Sequence, residues 1–548
     1  MVIRINELYL NICQYVYLNQ VPRILKKSGF IIVFLLLLCS PHLHAETQDS
    51  LIYFNDLNFR NEFEKAVFVN YLNKQSINQM DLFMTPYKWG DSIDVTAAHL
   101  RVDECVSNLH VQIDGKTNVK KAKIVYEYVH KTFLKVFKLQ NSFSDIFTKG
   151  EYNCVGATAL YSVIFSRLNI PYQIKEKPHH VYLIAYPNEE KILIETTSPN
   201  DGYFAFNNDF QVKYVNNLTK QKLIAQNEID HTSTEELFNK YYFSSENISL
   251  VQLAAFQYVN YGIYHITDKE FDGAIIELKK ADLLYPCERI AFALKISVAF
   301  QIDNNNYDSL KQVANLLLLC RFNNQNDDEI SDELIKNEFA RLTQCQLINH
   351  SNFSRYDSSW AAVRSVIKDT LLKNDIDFTY HLETVRISYI NSSDKEKELW
   401  HLKAAYDINP MNANLQALII SHLGNRFDKN DDANAAMTVL DKYGKNFSFL
   451  ETNTLFNKVK GTILLEMSYR SFVTNDLQKG NSYMKSFEDL YELKKPLTIE
   501  NKFVEKTYST AAAVYFKKGN YARSKQIIQK GLYFAPESFR MQQMLREF

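Results

Sequence analysis

The sequence predicts a mostly helical α+β protein, in which a small α+β domain precedes a C-terminal array of α-helical repeats. Three observations carry that reading. Glycine accounts for 14 and proline for 11 of 548 residues, whereas glycine alone ordinarily makes up about 7% of a chain. Few tight turns and few helix breaks favour helices. One short island, residues 172–197, departs from helical periodicity and is rich in Ile, Tyr, Val and Thr. Two later stretches, around residues 261–286 and 511–536, repeat one spacing of small residues, aromatics and proline. A hydrophobic content of 46% is ample for a core and argues against disorder over most of the length. At 548 residues, several domains are expected, or fewer if a repeat array is present.

The N-terminus reads as a targeting signal. Lys26 and Lys27 precede an apolar run over residues 30–39, followed by Ser40-Pro41 and the small residue Ala45. Charge, short apolar core, break and small residue is the order of a secretory signal peptide, here residues 1–45. A bilayer span needs about twenty apolar residues, so a cleaved signal is expected rather than an anchor, and membrane contact only if the signal is kept. Lipidation at Cys39 is disfavoured because Leu38, not a small residue, precedes it. The 25 residues before Lys26 are unusual for a signal and suit a start placed too far upstream, although the next methionine is Met80. The expected location is secreted or periplasmic.

Cleavage after Ala45 leaves Cys105, Cys154, Cys287, Cys320 and Cys345. Five is odd, so at least one thiol stays unpaired within the chain. The blander reading is that all five are small buried hydrophobes. No Cys-x-x-Cys pair and no His-Glu-x-x-His pattern occur. His110, His130, His265 and His401 show no ligand spacing, so no metal and no cofactor is expected. With 62 Lys+Arg against 63 Asp+Glu, phosphate-driven nucleic-acid binding has no support. No glycine-rich phosphate loop is present either.

The elements follow in order. Residues 46–110 form an N-terminal helical segment, and amphipathic helical patterning runs from residue 56 to 136. A turn-rich stretch, residues 141–153, leads to an apolar helix over residues 154–168, which Asn169 and Pro171 should stop. YQIKE (172–176), HVYLIAY (180–186) and KILIETT (191–197) read as antiparallel strands. A small α+β domain is thus expected over residues 111–215, and helical repeats over residues 249–548.

Cys154 then stands at a helix start, with Asn153 as its N-cap. The positive end of the helix dipole favours thiolate over thiol. The Cys154 N–H, lacking an intrahelical acceptor, is available to a developing oxyanion. His180, on an apolar strand, can take the thiol proton and return it to a leaving group. Glu195, at the end of the next strand, can fix the imidazole tautomer. Each also has an ordinary structural reading: a core cysteine, a satisfied strand histidine, an exposed strand-end carboxylate. Their ordered co-occurrence is what makes them a set.

The order Tyr-Asn-Cys, apolar helix, Ile-Pro-Tyr, His-Val-Tyr-Leu, then an acid followed by Thr, resembles the transglutaminase-like superfamily with its papain-like core, and most closely its bacterial branch joined to tetratricopeptide repeats. The resemblance spans about residues 145–204. It implies Cys154 as nucleophile, His180 as general base and Glu195 as orienting acid. The family's usual acid is Asp, so Glu195 is a departure; Asp201, in a turn-like SPNDG segment, is the substitute. Tyr152 would shape the oxyanion site by analogy, and His179 would be a surface neighbour.

In the repeats, Tyr261-Gly262, Phe271, Ala274, Ala281 and Pro286 fall on the offsets of a 34-residue tetratricopeptide unit. Ala511-Ala512, Tyr515, Gly519, Tyr521, Ser524, Gly531 and Pro536 fall on the same offsets, and Ala405 with Pro410 ends a third unit. Residues 304–500 otherwise suggest only helix pairs. Two function classes follow: an extracytoplasmic cysteine hydrolase or acyltransferase acting on protein or peptide amides, with a protein-binding arm; or an inactive scaffold mediating protein–protein interaction. No calcium-loop pattern is visible.

Overall fold

The computed structural model describes residues 51–547, apart from 76–77, 87–93, 178–179, 201, 207, 222, 244–245, 309, 326–329, 392–393 and 427–432. The signal segment, His179 and Asp201 lie outside the described residues. The chain forms two compact units, residues 1–305 with 309–328 and residues 306–308 with 329–548. The division falls inside the helical array rather than at its start.

In the first unit, α1 (Glu62–Leu72), α2 (Gln79–Met84), α3 (Val95–Ile113) and α4 (Asn118–Thr132) precede β1 (Val136–Phe137), α5 (Asp145–Thr148) and β2 (Glu151–Tyr152). The helical pattern expected through residue 136 therefore stops with α4, and β1 pairs with β2 in parallel. Next comes α6 (Cys154–Arg167), then β3 (Tyr172–Lys177), β4 (His180–Ala185), β5 (Ile192–Ile194) and β6 (Tyr203–Phe204). Helix α6 is buried from Val155 through Phe165. A helix apolar all round belongs in a core, and this one is the core of the unit. Asn169 ends it in the left-handed region, φ 53, while Ile170 N–H reaches back to the Phe165 carbonyl at 2.9 Å. That is the closure expected of an Asn stop.

Beyond β6 lie α7 (Asn208–Lys220), α8 (Gln226–His231), α9 (Thr234–Tyr242) and β7 (Glu246–Ile248). The five strands order β6-β5-β4-β3-β7, antiparallel throughout. The sheet thus takes its outer strand from beyond residue 215, and α7 runs across that position. Strand β5 is shorter than the expected 191–197, because the chain turns after Ile194: Ser198 N–H bonds back to the Glu195 carbonyl at 3.2 Å.

Four helices of the array also belong to this unit: α10 (Leu250–Thr267), α11 (Phe271–Leu284), α12 (Glu288–Ile302) and α13 (Leu310–Asn323). Gly262 allows α10 and α11 to meet; a Cβ there would sit 2.7 Å from Leu278 Cγ. A buried charge cluster fastens this pair to the N-terminal segment. Glu64 pairs with Arg60 at 2.7 Å and Lys280 at 2.9 Å, and Arg60 also reaches Glu277. Tyr258 donates to Glu64 at 3.1 Å and shares a 2.7 Å hydrogen bond with Thr85. All three carboxylate–cation pairs are almost wholly buried, so removing one member would leave a charge without compensation.

The second unit is helical throughout its described residues: α14 (Asp332–Thr343), a π-helical turn (Gln344–Asn349), α15 (Phe353–Val366), α16 (Thr370–Asn391), α17 (Lys395–Ile408), α18 (Ala413–Gly424), α19 (Ala433–Asn446), α20 (Thr454–Val473), α21 (Leu477–Leu493), α22 (Asn501–Lys517), α23 (Tyr521–Phe534) and α24 (Phe539–Arg546), with one short 3-10 turn at Ser448–Thr452. Ala511, Ala512 and Ser524 are fully buried where α22 meets α23, and the Ser524 hydroxyl donates to the Ala512 carbonyl at 2.8 Å. No helix among the described residues is long and apolar enough to cross a membrane.

Candidate active site

Cys154 is the first residue of α6. Its N-cap, Asn153, is 1% exposed and held from both ends. Its Oδ1 accepts from Gly156 N–H at 2.9 Å, and its Nδ2 donates to the Leu139 carbonyl at 3.2 Å. The expected cap is therefore present, and the loop before the cysteine is tied to it. The Gly156 Cα faces Ile146 and the fully buried Gln257 of α10; an added Cβ would lie 3.3 Å from Ile146 Cδ1 and 3.9 Å from Gln257 Nε2.

Strand pairing delivers the other two residues. Leu183 pairs with Ile194, and Lys177 with His180. Carried one residue further, the first register sets Glu195 opposite Tyr182, on the face that also bears His180. The His180 Nε2 lies 2.8 Å from both Glu195 oxygens. The side chains are 27% and 26% exposed, so Glu195 is not a free surface carboxylate. Cys154 stands close enough to the His180 imidazole to favour its protonated form.

The electrostatics follow from these contacts. Burial acts to lower the His180 pKa, but the hydrogen bond with Cys154, the hydrogen bond with Glu195 and the negative charge of each outweigh it and raise it to about 10. Burial acts to raise the Glu195 pKa, yet the hydrogen bond and charge of His180, with hydrogen bonds from Thr197, hold it below the usual carboxylate range. Both shifts favour the charged imidazolium–carboxylate form of the pair.

Reading the residues alone missed the supports of this acid. Thr197 donates to Glu195 Oε1 through its hydroxyl at 2.8 Å and its N–H at 3.3 Å. Thr158 of α6 hydrogen-bonds Thr196 at 2.9 Å and the Val181 carbonyl at 3.3 Å, pinning the cysteine-bearing helix to both strands. Gly202 donates to the Tyr126 hydroxyl at 2.9 Å and accepts from Glu195 N–H at 2.6 Å; a Cβ there would collide with both neighbours. The Glu-Thr-Thr run and the lone glycine were the available signals. Tyr152 is 3% exposed and packs edge-on against Phe137 and His130, with ring centroids 5.9 and 6.2 Å away. That placement makes it a wall of the core behind the helix start. His130 is buried and has no hydrogen-bond partner for either ring nitrogen among the described residues.

No known family model matches the chain, and no curated protein matches it.

Proposed function

We propose that the protein is an extracytoplasmic cysteine hydrolase of transglutaminase-like type, cleaving amide bonds in proteins or peptides through Cys154, His180 and Glu195. One observation carries the reading: His180 Nε2 lies 2.8 Å from both Glu195 oxygens, and Cys154, first residue of its helix, acts on the same imidazole. Three unrelated side chains meeting in that order serve nucleophile, base and orienter.

The chemistry runs as follows. Cys154 Sγ, its proton passed to His180, forms a bond to the substrate carbonyl carbon, and the carbonyl oxygen becomes an oxyanion. The Cys154 N–H, free of an intrahelical acceptor, stabilises that charge. The C–N bond breaks as His180 returns its proton to the departing amine, leaving a thioester. Water, deprotonated by His180, then attacks the thioester; the acid leaves and the thiol is regenerated. The partial exposure of His180 and Glu195 supports access by substrate and water. Glu195 keeps the imidazole in one tautomer and stabilises its charge throughout. The helical array is read as the surface that brings a protein substrate to this site.

Alkylation by iodoacetamide between pH 4 and 9 tests this. Cys154 should react rapidly at pH 6, and His180→Ala should slow it by about a hundredfold or more. A Cys154 no more reactive at pH 6 than a free model thiol would overturn the reading.

A further inference from the structure

A second cluster of reactive side chains stands in the second unit. Cys345, His350 and Asp308 place their sulfur, ring nitrogen and carboxylate oxygen all within 4.8 Å of one another. The Cys345 Sγ lies 3.1 Å from Asp308 Oδ1 and 3.8 Å from His350 Nδ1. Metal–sulfur bonds near 2.3 Å and metal–nitrogen or –oxygen bonds near 2.0–2.1 Å, set at tetrahedral angles, require ligand–ligand separations of roughly 3.5–3.6 Å. The two measured edges bracket that value.

Local structure explains how these residues meet. Residues five apart on an α-helix, at 3.6 per turn, point away from each other. Cys345 and His350 instead lie on and at the end of a π-helical turn, Gln344–Asn349, whose i→i+5 bonding brings such residues onto one turn. The turn is braced by a 2.7 Å hydrogen bond from Gln344 to Asn349 and closed by Asn352 N–H to the Gln346 carbonyl at 2.8 Å. Asp308 arrives from a separate segment. The preceding Tyr307 is fully buried in the left-handed region at φ 59, its hydroxyl bonds Glu338 at 2.6 Å, and its carbonyl accepts from Gln346 at 3.2 Å. Asn306 donates to the other Asp308 oxygen. The carboxylate is therefore aimed at the thiol by groups that themselves are fixed.

We propose that Cys345, His350 and Asp308 bind one divalent cation of the zinc class, with the fourth position open to solvent. Sulfur, imidazole and carboxylate together suit a borderline-soft ion, and a hard ion such as magnesium prefers oxygen alone. One thiolate and one carboxylate neutralise the ion's two charges. The thiol now donates to Asp308, and the His350 Nδ1–H donates to the Cys345 carbonyl at 2.8 Å. Binding forms a metal–sulfur bond and releases the thiol proton to solvent. It also moves the ring proton of His350 to Nε2, with no net change there. One proton is therefore released per ion.

Cobalt(II) titration of the full reduced chain tests the site. The expected result is one equivalent bound with a thiolate-to-cobalt charge-transfer band and one proton released. Cys345→Ser should remove the band, and Cys154→Ser should leave it. Asp308→Asn and His350→Ala, both changes at exposed side chains, should weaken binding at least about tenfold while thermal unfolding of the metal-free chain stays unchanged. Absence of the band in the unaltered chain overturns the proposal. So does a band that survives Cys345→Ser or disappears with Cys154→Ser.

Discussion

His180 in the first unit and the histidines buried in the second have opposite protonation behaviour. His381 and His401 are 6% and 2% exposed, with their Nδ1 atoms 2.9 Å apart, and burial lowers them to about 4 and about 3. His180, a quarter exposed, is raised to about 10. The carboxylate alone does not make the difference. His422 lies 2.8 Å from Glu398 and is nonetheless lowered, because it is fully buried and desolvation outweighs the acid. His180 has a second acidic partner, Cys154, and with Glu195 it outweighs desolvation and favours the charged imidazole. The direction of an imidazole shift is set by how many acidic partners oppose its desolvation.

The largest effect expected from breaking this contrast is on the thiol. Removing the imidazole with His180→Ala should slow Cys154 alkylation at pH 6 by about a hundredfold or more. An equal loss from His401→Phe would mean that the contrast carries no chemistry. Next, Glu195→Gln should slow the same reaction at least about tenfold and lower the His180 titration midpoint, read by NMR of the imidazole, from about 10. An unmoved midpoint would assign the whole shift to Cys154.

Stability against pH gives a third, smaller effect, with opposite signs for His180 and for the buried histidines of the second unit. The His180 pKa is higher folded than its ordinary 6.5, so its contribution is complete below pH 6.5 and is lost as pH rises through about 10. Glu195 is lowered, so its contribution is present above its ordinary 4.5 and is lost as pH falls through its folded value. His381 and His401 are lowered; the unfolded chain takes up protons below pH 6.5 while the fold does not, so they cost stability progressively as pH falls from 6.5 toward 4 and 3. Hydrogen exchange should show the second unit weakening by on the order of 2 kcal/mol per histidine on acidification to pH 5, while the loss of the His180 contribution falls on the alkaline side. Smallest of all, His401→Phe should change stability at pH 8 by less than about 1 kcal/mol and flatten the acid dependence. A large loss at pH 8 would give the histidine pair a structural role that its desolvated state does not suggest.

Much of the candidate site was legible in the residues, because its parts are local. Asn153 caps Cys154 through an atom three residues away, Asn169 stops the helix, and the alternation of apolar residues sets the strands and puts His180 and Glu195 on one face. The supports were harder to see. Thr158 meets Thr196 across 38 residues, and Gly202 meets Tyr126 across 76. Neither distance leaves a period in the sequence. The edge strand β7 is three residues long and comes after three helices, so it carried no strand signal of its own.

By itself, the sequence determined the helix that begins at Cys154, the antiparallel run bearing His180 and Glu195, and the small-residue spacing that lets Gly262 and Ala511 sit where helices meet. Short-range capping, periodicity and side-chain size are sufficient for those. Only the tertiary structure decided that Glu195 is bonded and not exposed, that the first helices of the array share a buried charge cluster with the site-bearing unit, and that Asp308 faces Cys345. Those outcomes depend on desolvation and on contacts between distant segments, and neither is set by any one stretch of residues.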